Sequence, residues 1–290
     1  MPKKRTPAFR DGRYRYTLSS YEPLEATIPL AYVTDEEVEM NARAVLREYT
    51  GYSSMRLPSD AWIRENLEGE ESLDDLFASI REQLEAINEE DAARLKPTIC
   101  LEALAQRLEQ EVPEEEVERE QADLRREFEE HVKSNGFEPA QALLDMGLSA
   151  ATSDAMFAEQ ARREAAKGAA LDAYADHFGI TADTTELPAI LELSPTSARD
   201  LIAQARANGE TVDLLFQARR HKTAQIVLST CRFTYDQETP EAAHRRIAET
   251  YRITMREIAV ADPEYGGGRH PRVAEPPAQA SDSRSHLRLV

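Results

Sequence analysis

The chain has 290 residues, 41% of them hydrophobic and 31% charged, with a formal net charge of −19. That length holds one or two domains, and so acidic a body repels polyanions, which excludes direct nucleic-acid binding as its main business. No apolar run approaches the roughly 18 residues of a membrane span and no apolar core follows the basic N-terminus, so no membrane partner is expected and the cytoplasm is the expected compartment.

Residues 1–16 carry Lys3, Lys4, Arg5, Arg10, Arg13 and Arg15 against Asp11 alone, so this segment is +5 and the remainder −24. Residues 1–13 read as a disordered basic leader. Tyr14 to Val33, "YRYTLSSYEPLEATIPLAYV", has the β-branched and aromatic content of one or two short strands, and it is the one sheet-like region in the sequence.

A capping box, Thr34 to Glu37, opens a helix that Gly51 stops near Thr50. After "GYSSMRLP", Ser59 caps a short turn, and a second capping box, Ser72 to Asp75, opens the strongest helical periodicity in the chain: Leu73, Leu76, Phe77, Ile80, Leu84 and Ile87. The pattern resumes at Leu95, Ile99, Leu104 and Leu108, and Pro97 between them predicts a kink or a split. Val112–Val132, "VPEEEVEREQADLRREFEEHV", is helical but apolar only along a thin stripe of Val117, Leu124, Phe128 and Val132; Pro113 suits its first position and Asn135-Gly136 its end.

A short helix follows around "AQALLDMGL", then an alanine-rich one from Ser153 to Phe178, stopped by Gly179. Its face of Phe157, Ala161, Ala165, Gly168 and Ala169 would let a partner helix approach closely. "SARDLIAQARA" runs up to Asn208-Gly209, and "ETVDLLFQARRHKTAQIVLSTC" places Val212, Leu215, Phe216, Ile226 and Val227 on a common side. A last helix begins at Thr239-Pro240 and fades near Asp262, and the Gly, Pro and Ser content beyond it reads as a disordered tail.

Catalytic signatures are missing from the sequence. It has no Gly-rich phosphate loop, nucleophile elbow, His-Glu-x-x-His pair or Cys/His ligand cluster, so no catalytic residue, cofactor or metal is assigned. His131 and His177 sit near helix ends, where a cation favours the negative pole. Cys100 and Cys231 read as two isolated thiols, suited to a reducing compartment and supporting neither a disulfide nor a metal site. Trp62 is expected in the core rather than stacked on a ligand.

Five pieces in order carry a resemblance: "PLAYVTDEEVEMNARAVLREY", "LPSDAWIRENLEGEESLDDLFASIREQLE", "LEALAQRLEQEVPEEEVEREQADLRREF", "ARREAAKGAALDAYADHFGITADTTEL" and "ANGETVDLLFQARRHKTAQIVL". Over roughly residues 22–236 the chain resembles the C-terminal chaperone region of bacterial trigger factor. The family places an FKBP-like prolyl isomerase domain after the "VTDEEV" helix, where this chain has only Thr50 to Pro58, so the resemblance implies holding activity and argues against an enzyme. An isomerase label would follow the family name alone. The family's ribosome-docking domain is expected to be absent too, although "AFRDGRYR" is similar to its docking loop at Phe9, Arg10 and Gly12, with Arg13 in place of a lysine and departures at Ala8 and Arg15. Ribosome contact through these four residues is the weaker implication.

The resemblance and the periodicity together give a mostly α fold: an extended helical body with two helical-hairpin arms and a short β segment near the N-terminus. The expected divisions are a leader at 1–13, a trigger factor C-terminal-like helical chaperone domain at 14–236, an additional helix at 237–261 and a tail at 262–290. A helix of about 20 residues spans ~30 Å, and a thin apolar stripe pairs with one neighbour without being buried all round. Val112–Val132 would pair with Ser153–Phe178 in one arm, and the helices from Ala198 to Cys231 would form the other.

The expected partners are unfolded or nascent polypeptides, held without ATP between the arms, with Phe128, Phe157, Leu201, Phe216, Val117 and Leu124 as candidate contacts. Most apolar residues of a hairpin are needed for its own seam. Alternatives are a helical adaptor for one folded partner and a homodimer whose stripes cover each other.

Overall fold

The computed structural model describes residues 5–10, 12–52 and 56–261, the last helix by its backbone alone at 251 and 253–261. The rest of the expected leader (1–4 and Asp11), part of the "GYSSMRLP" connection (53–55) and the expected tail (262–290) lie outside the described residues. The fold is mostly α. In chain order the elements are β1 (Ala8–Arg10), β2 (Arg13–Arg15), β3 (Glu25–Leu30), α1 (Asp35–Thr50), α2 (Asp60–Asn66), α3 (Leu73–Gln106), α4 (Glu114–Ser134), α5 (Pro139–Asp145), α6 (Ala150–Phe178), α7 (Leu187–Ile190), α8 (Pro195–Asn208), α9 (Thr211–Thr230), β4 (Arg232–Gln237) and α10 (Pro240–Ala261).

Helix ends follow the local chemistry. The Glu37 amide donates to the Thr34 hydroxyl at 3.1 Å while the Thr34 amide donates to the Glu37 carboxylate at 3.0 Å, a complete capping box, and Gly51 closes α1 at φ +68°. Ser72 caps α3 in the same way, its hydroxyl accepting from the Asp75 amide at 3.1 Å. Ser149 caps α6 by accepting from the Thr152 amide at 3.2 Å, so that helix begins three residues before the expected Ser153. Pro113 is the cap of α4 rather than its first residue.

Pro97 neither ends nor divides α3, which continues from Leu73 to Gln106. Proline deprives the carbonyl four residues earlier, that of Ala93, of its amide partner, and both residues lie on the exposed side, where water can serve the freed oxygen.

The segment read as an unstructured leader holds an antiparallel ribbon, β1–β2, with Phe9 opposite Tyr14 and Arg10 opposite Arg13. The sequence Asp11-Gly12 is a strong hairpin signal, and Gly12 takes φ +76°. Backbone bonds then tie the segment down: the Arg5 amide donates to the Glu109 carbonyl at 3.2 Å, the Glu111 amide to Arg5 at 3.0 Å, and the Ser19 amide to Arg107 at 2.8 Å. A second correction concerns β4, a strand outside the one region expected to be sheet-like. The Arg232 amide donates to the Leu24 carbonyl at 2.8 Å and the Glu238 amide to Leu30 at 2.8 Å, so numbers rise together along β3 and β4 and the pair is parallel.

The chain forms two compact units, Met1–Ile28 with Leu95–Thr234, and Pro29–Arg94 with Tyr235–Val290. The core of the first joins Tyr16, Leu18 and Leu24 to Cys100 and Leu104 of the α3 end and Leu108 just beyond it, to Ala169, Ala170, Leu171 and Ala173 of α6, and to Val227 of α9. In the second unit, Val38, Ala42 and Leu46 of α1 pack on Ile63 of α2 and on Leu76 and Ile80 of α3. Trp62 is only partly buried there, against Tyr52 at 4.8 Å between ring centroids. Arg246 of α10 donates to Glu37 at 2.8 Å and to the Tyr32 carbonyl at 3.1 Å.

Candidate functional site

Within the first unit, α4 and α6 form an antiparallel helical hairpin. As numbers rise along α4 they fall along α6: Glu114 pairs with Arg162 at 3.7 Å, and Arg125 with Asp154 at 2.5 Å. The apolar seam is narrow. Phe157 is 8% exposed, its ring meets Phe128 edge to face at 5.6 Å, and the Arg125 guanidinium lies over the ring at 5.6 Å. Val117 and Val132 are the buried residues of α4, and Ser153, Phe157 and Ala161 follow one another at four-residue spacing along the first half of α6.

Where α6 meets α9, an ion pair joins the apolar packing. Arg220 of α9 holds Asp172 of α6 with two bonds, Nε to Oδ1 at 3.1 Å and Nη2 to Oδ2 at 2.6 Å. Its guanidinium also lies 4.6 Å from the centre of the Phe216 ring. A Cβ at Gly168 would come within 3.0 Å of this guanidinium. The small face of α6 at Gly168 therefore admits an arginine head group, not a helix backbone as the sequence suggests.

Burial opposes the charge on Arg220, but its bonds to Asp172 and the field of Glu116 and Glu120 outweigh that and raise its pKa. On the facing side of α4, burial pushes the Glu120 carboxyl above the usual range, although Arg220 opposes the shift. Burial, together with a 2.5 Å bond to Glu116, pushes the Tyr16 phenol well above its ordinary range.

The β2 ribbon anchors the base of this hairpin. Tyr14 and Tyr16 donate to Glu115 and Glu116 in the first turn of α4, and Arg15 reaches Asp176 near the end of α6 at 2.7 Å. Burial would raise the Asp176 pKa, but bonds from Arg219 and Arg15 hold it below the usual carboxylate range. His177 does not cap a carbonyl; its ring stacks on Tyr21 at 3.7 Å.

The second arm is built from α7, α8 and α9 around Leu187, Ile190 and Ala218, with Ile202, Leu214 and Leu215 packed against them. The short α7 is absent from the sequence expectation. Lys222 of α9 ties it down by donating to Glu186 at 2.7 Å and to the Thr181 carbonyl at 3.0 Å. Val212 is 77% exposed and does not share the buried side of α9 with Val227, contrary to the helical projection.

The six candidate contact residues are distributed as follows. Val117 and Phe157 are buried in the α4–α6 seam; Leu124 and Phe128 are partly buried along the same hairpin. Leu201 and Phe216 are partly buried in the other arm. The large exposed apolar side chains of the hairpin lie instead at its closed end: Phe137 (66% exposed) after α4, Leu144 (62%) on α5, Met146 (60%) capping it, and Met156 in the second turn of α6. Their sequence signal is the pair of breaks "GF" and "MG", which place apolar residues where no helix partner exists. Phe9 and Arg10 are exposed on β1 and Gly12 is exposed in the turn, while Arg13 opens β2, 3.8 Å from Asp176.

Among the described residues, no group of His, Cys, Asp and Glu could hold a metal ion, and no helix is long and apolar enough to cross a membrane.

Paired acidic helices, joined at an ionic base and greasy at the closed end, define an α-helical protein of the armed type. The chain belongs to the trigger factor family, a chaperone family: the family model for the bacterial trigger factor protein C-terminus matches residues 72–227, more than half of the 290. No curated protein matches the chain.

Proposed function

We propose that this chain is an ATP-independent holding chaperone, without isomerase activity, that binds unfolded or nascent polypeptides on the apolar surface of its helical arms. The observation that carries this reading is the closed end of the α4–α6 hairpin, where Phe137, Leu144, Met146 and Met156 stand in solvent on an acidic arm. Exposed Phe, Leu and Met beside carboxylates suit a surface that grips apolar segments and stays dispersed when empty. Each Leu- or Phe-sized burial contributes ~1.5–3 kcal/mol before the ordering cost of the client, which gives weak, reversible, additive binding.

Membership of a chaperone family supports a polypeptide client. Leu124, Phe128, Leu201 and Phe216, partly exposed, extend the contact along the two arms, whereas Val117 and Phe157 serve the seam. The cytoplasm is the proposed compartment, and 14–236 the proposed chaperone domain with 237–261 an added helix. The exposed Phe9, Arg10 and Gly12, with Arg13, are a secondary candidate for ribosome contact.

The test is light scattering from a chemically denatured client diluted into buffer with the full chain. Suppression at equimolar ratio is expected, and its loss in the triple variant Phe137→Ser, Leu144→Ser, Met146→Ser would assign it to the tip. No suppression by the unmodified chain overturns the proposal. Saturable binding of a single native protein would favour an adaptor, and mutual covering of the tips in a homodimer would appear as a concentration-dependent mass.

A further inference from the structure

The two cysteines lie 131 positions apart in sequence and read there as isolated. They are brought together in the core of the first unit. Cys100, on α3, is fully buried among Leu104, Leu108, Ala170 and Val227, and Cys231, the residue that ends α9, is partly exposed and packed against the same cluster. Both are free thiols. Lys96, one turn before Cys100 on α3, lies 5.6 Å from the centre of the Phe233 ring, two residues past Cys231, and the Cys231 Sγ lies 4.0 Å from the Arg232 carbonyl.

We propose that Cys100 and Cys231 form a reversible intrachain disulfide when the protein meets a hydroperoxide, with Cys231 as the thiol that is oxidised first and Cys100 as the one that resolves it. The difference in access sets the order, since a peroxide reaches the partly exposed sulfur and not the buried one. Burial, reinforced by the neighbouring Cys231, pushes the Cys100 thiol up to about 12, which keeps it protonated and inert toward peroxide by itself.

In the first step the Cys231 thiolate attacks the distal peroxide oxygen, the O–O bond breaks, and sulfenic acid and an alcohol (water, from hydrogen peroxide) are formed. In the second, the Cys100 sulfur attacks the Cys231 sulfur, hydroxide leaves and takes up the Cys100 proton as water, and the S–S bond closes. Two thiols are oxidised and one peroxide is reduced.

The bond would tie α3 to the junction of α9 and β4, the helix end from which the second arm is carried. This inference does not depend on client holding, and the two can fail separately.

The experiment treats the folded full chain with hydrogen peroxide, unfolds it in denaturant with a maleimide present, and maps peptides by mass spectrometry with and without reductant. The expected result is a chain lighter by two hydrogens, no alkylated cysteine, and a reductant-cleavable peptide pair containing Cys100 and Cys231. Cys100→Ser is expected to trap Cys231 sulfenic acid for dimedone, and Cys231→Ser to leave Cys100 a thiol under the same treatment. Two alkylated thiols after oxidation, sulfinic acid at Cys231 with Cys100 still free, or disulfides between chains would each overturn the proposal; the unsubstituted protein decides this even if a variant folds poorly.

Discussion

The two halves of α6 have the same composition in broad terms, rich in alanine, yet they are used differently. In the first half only Ser153, Phe157 and Ala161 are buried, one residue per turn, because a single neighbour, α4, covers that side. In the second half Ala169 to Ala173 are buried in succession along with Ala175, because the helix is enclosed by α9 and by the chain's N-terminal segment as well. A helix with one partner keeps most of its surface wet and can offer it to others; a helix with several becomes core. Arm and base are thus one helix in two environments.

The comparison can be broken most sharply at the base. Arg220→Ala would leave Asp172 buried without its bidentate partner, and a loss of about 3 kcal/mol is expected in denaturant unfolding. In the seam, Phe157→Ala should cost about 3 kcal/mol through the cavity and the lost contact with Phe128. Gly168→Ala sharpens the same point more gently: the added methyl displaces the Arg220 guanidinium, at an expected cost of about 1–2 kcal/mol, and adding Arg220→Ala to it should cost less than the two single losses together.

Asp176 tests the base by pH. Its folded pKa lies below the unfolded one, so the folded state is favoured when the carboxyl is ionised; that contribution is complete above the ordinary carboxylate range and is lost as pH falls through the lowered folded value. Asp176→Asn should flatten the acid limb of a stability–pH curve, and an unchanged limb would count against the Arg15–Asp176–Arg219 contact. The smallest stability effect is expected at the tip, where Phe137→Ser, Leu144→Ser and Met146→Ser together should move unfolding by no more than about 1 kcal/mol while reducing client holding.

Much of the fold could be read along the chain. The caps at Thr34, Ser59 and Ser72, the left-handed glycines Gly51, Gly179 and Gly209, and the thin stripe of α4 follow from hydrogen bonds within four residues or from a single helical period, and they appear where expected. The leader's ribbon was equally local, signalled by Asp11-Gly12, but its basic composition pointed to disorder, and what stabilises it is backbone pairing with residues 107–111, about a hundred positions away. Helical projection put Val212 on the buried side of α9 and Phe157 among the surfaces open to a client, because a periodicity identifies a face and does not say which neighbour, if any, covers it.

What the sequence by itself determined is therefore the helical class, the places where helices begin and end, and the family, all of which depend on short-range bonding and on the order of pieces. Only the tertiary structure decided that Gly168 makes room for Arg220, that Cys100 and Cys231 share one core cluster, and that the uncovered apolar side chains gather at the closed end of the hairpin. Those outcomes turn on which distant segments exclude water from which side chains, and burial of that kind is a property of the assembled chain, not of any window of residues within it.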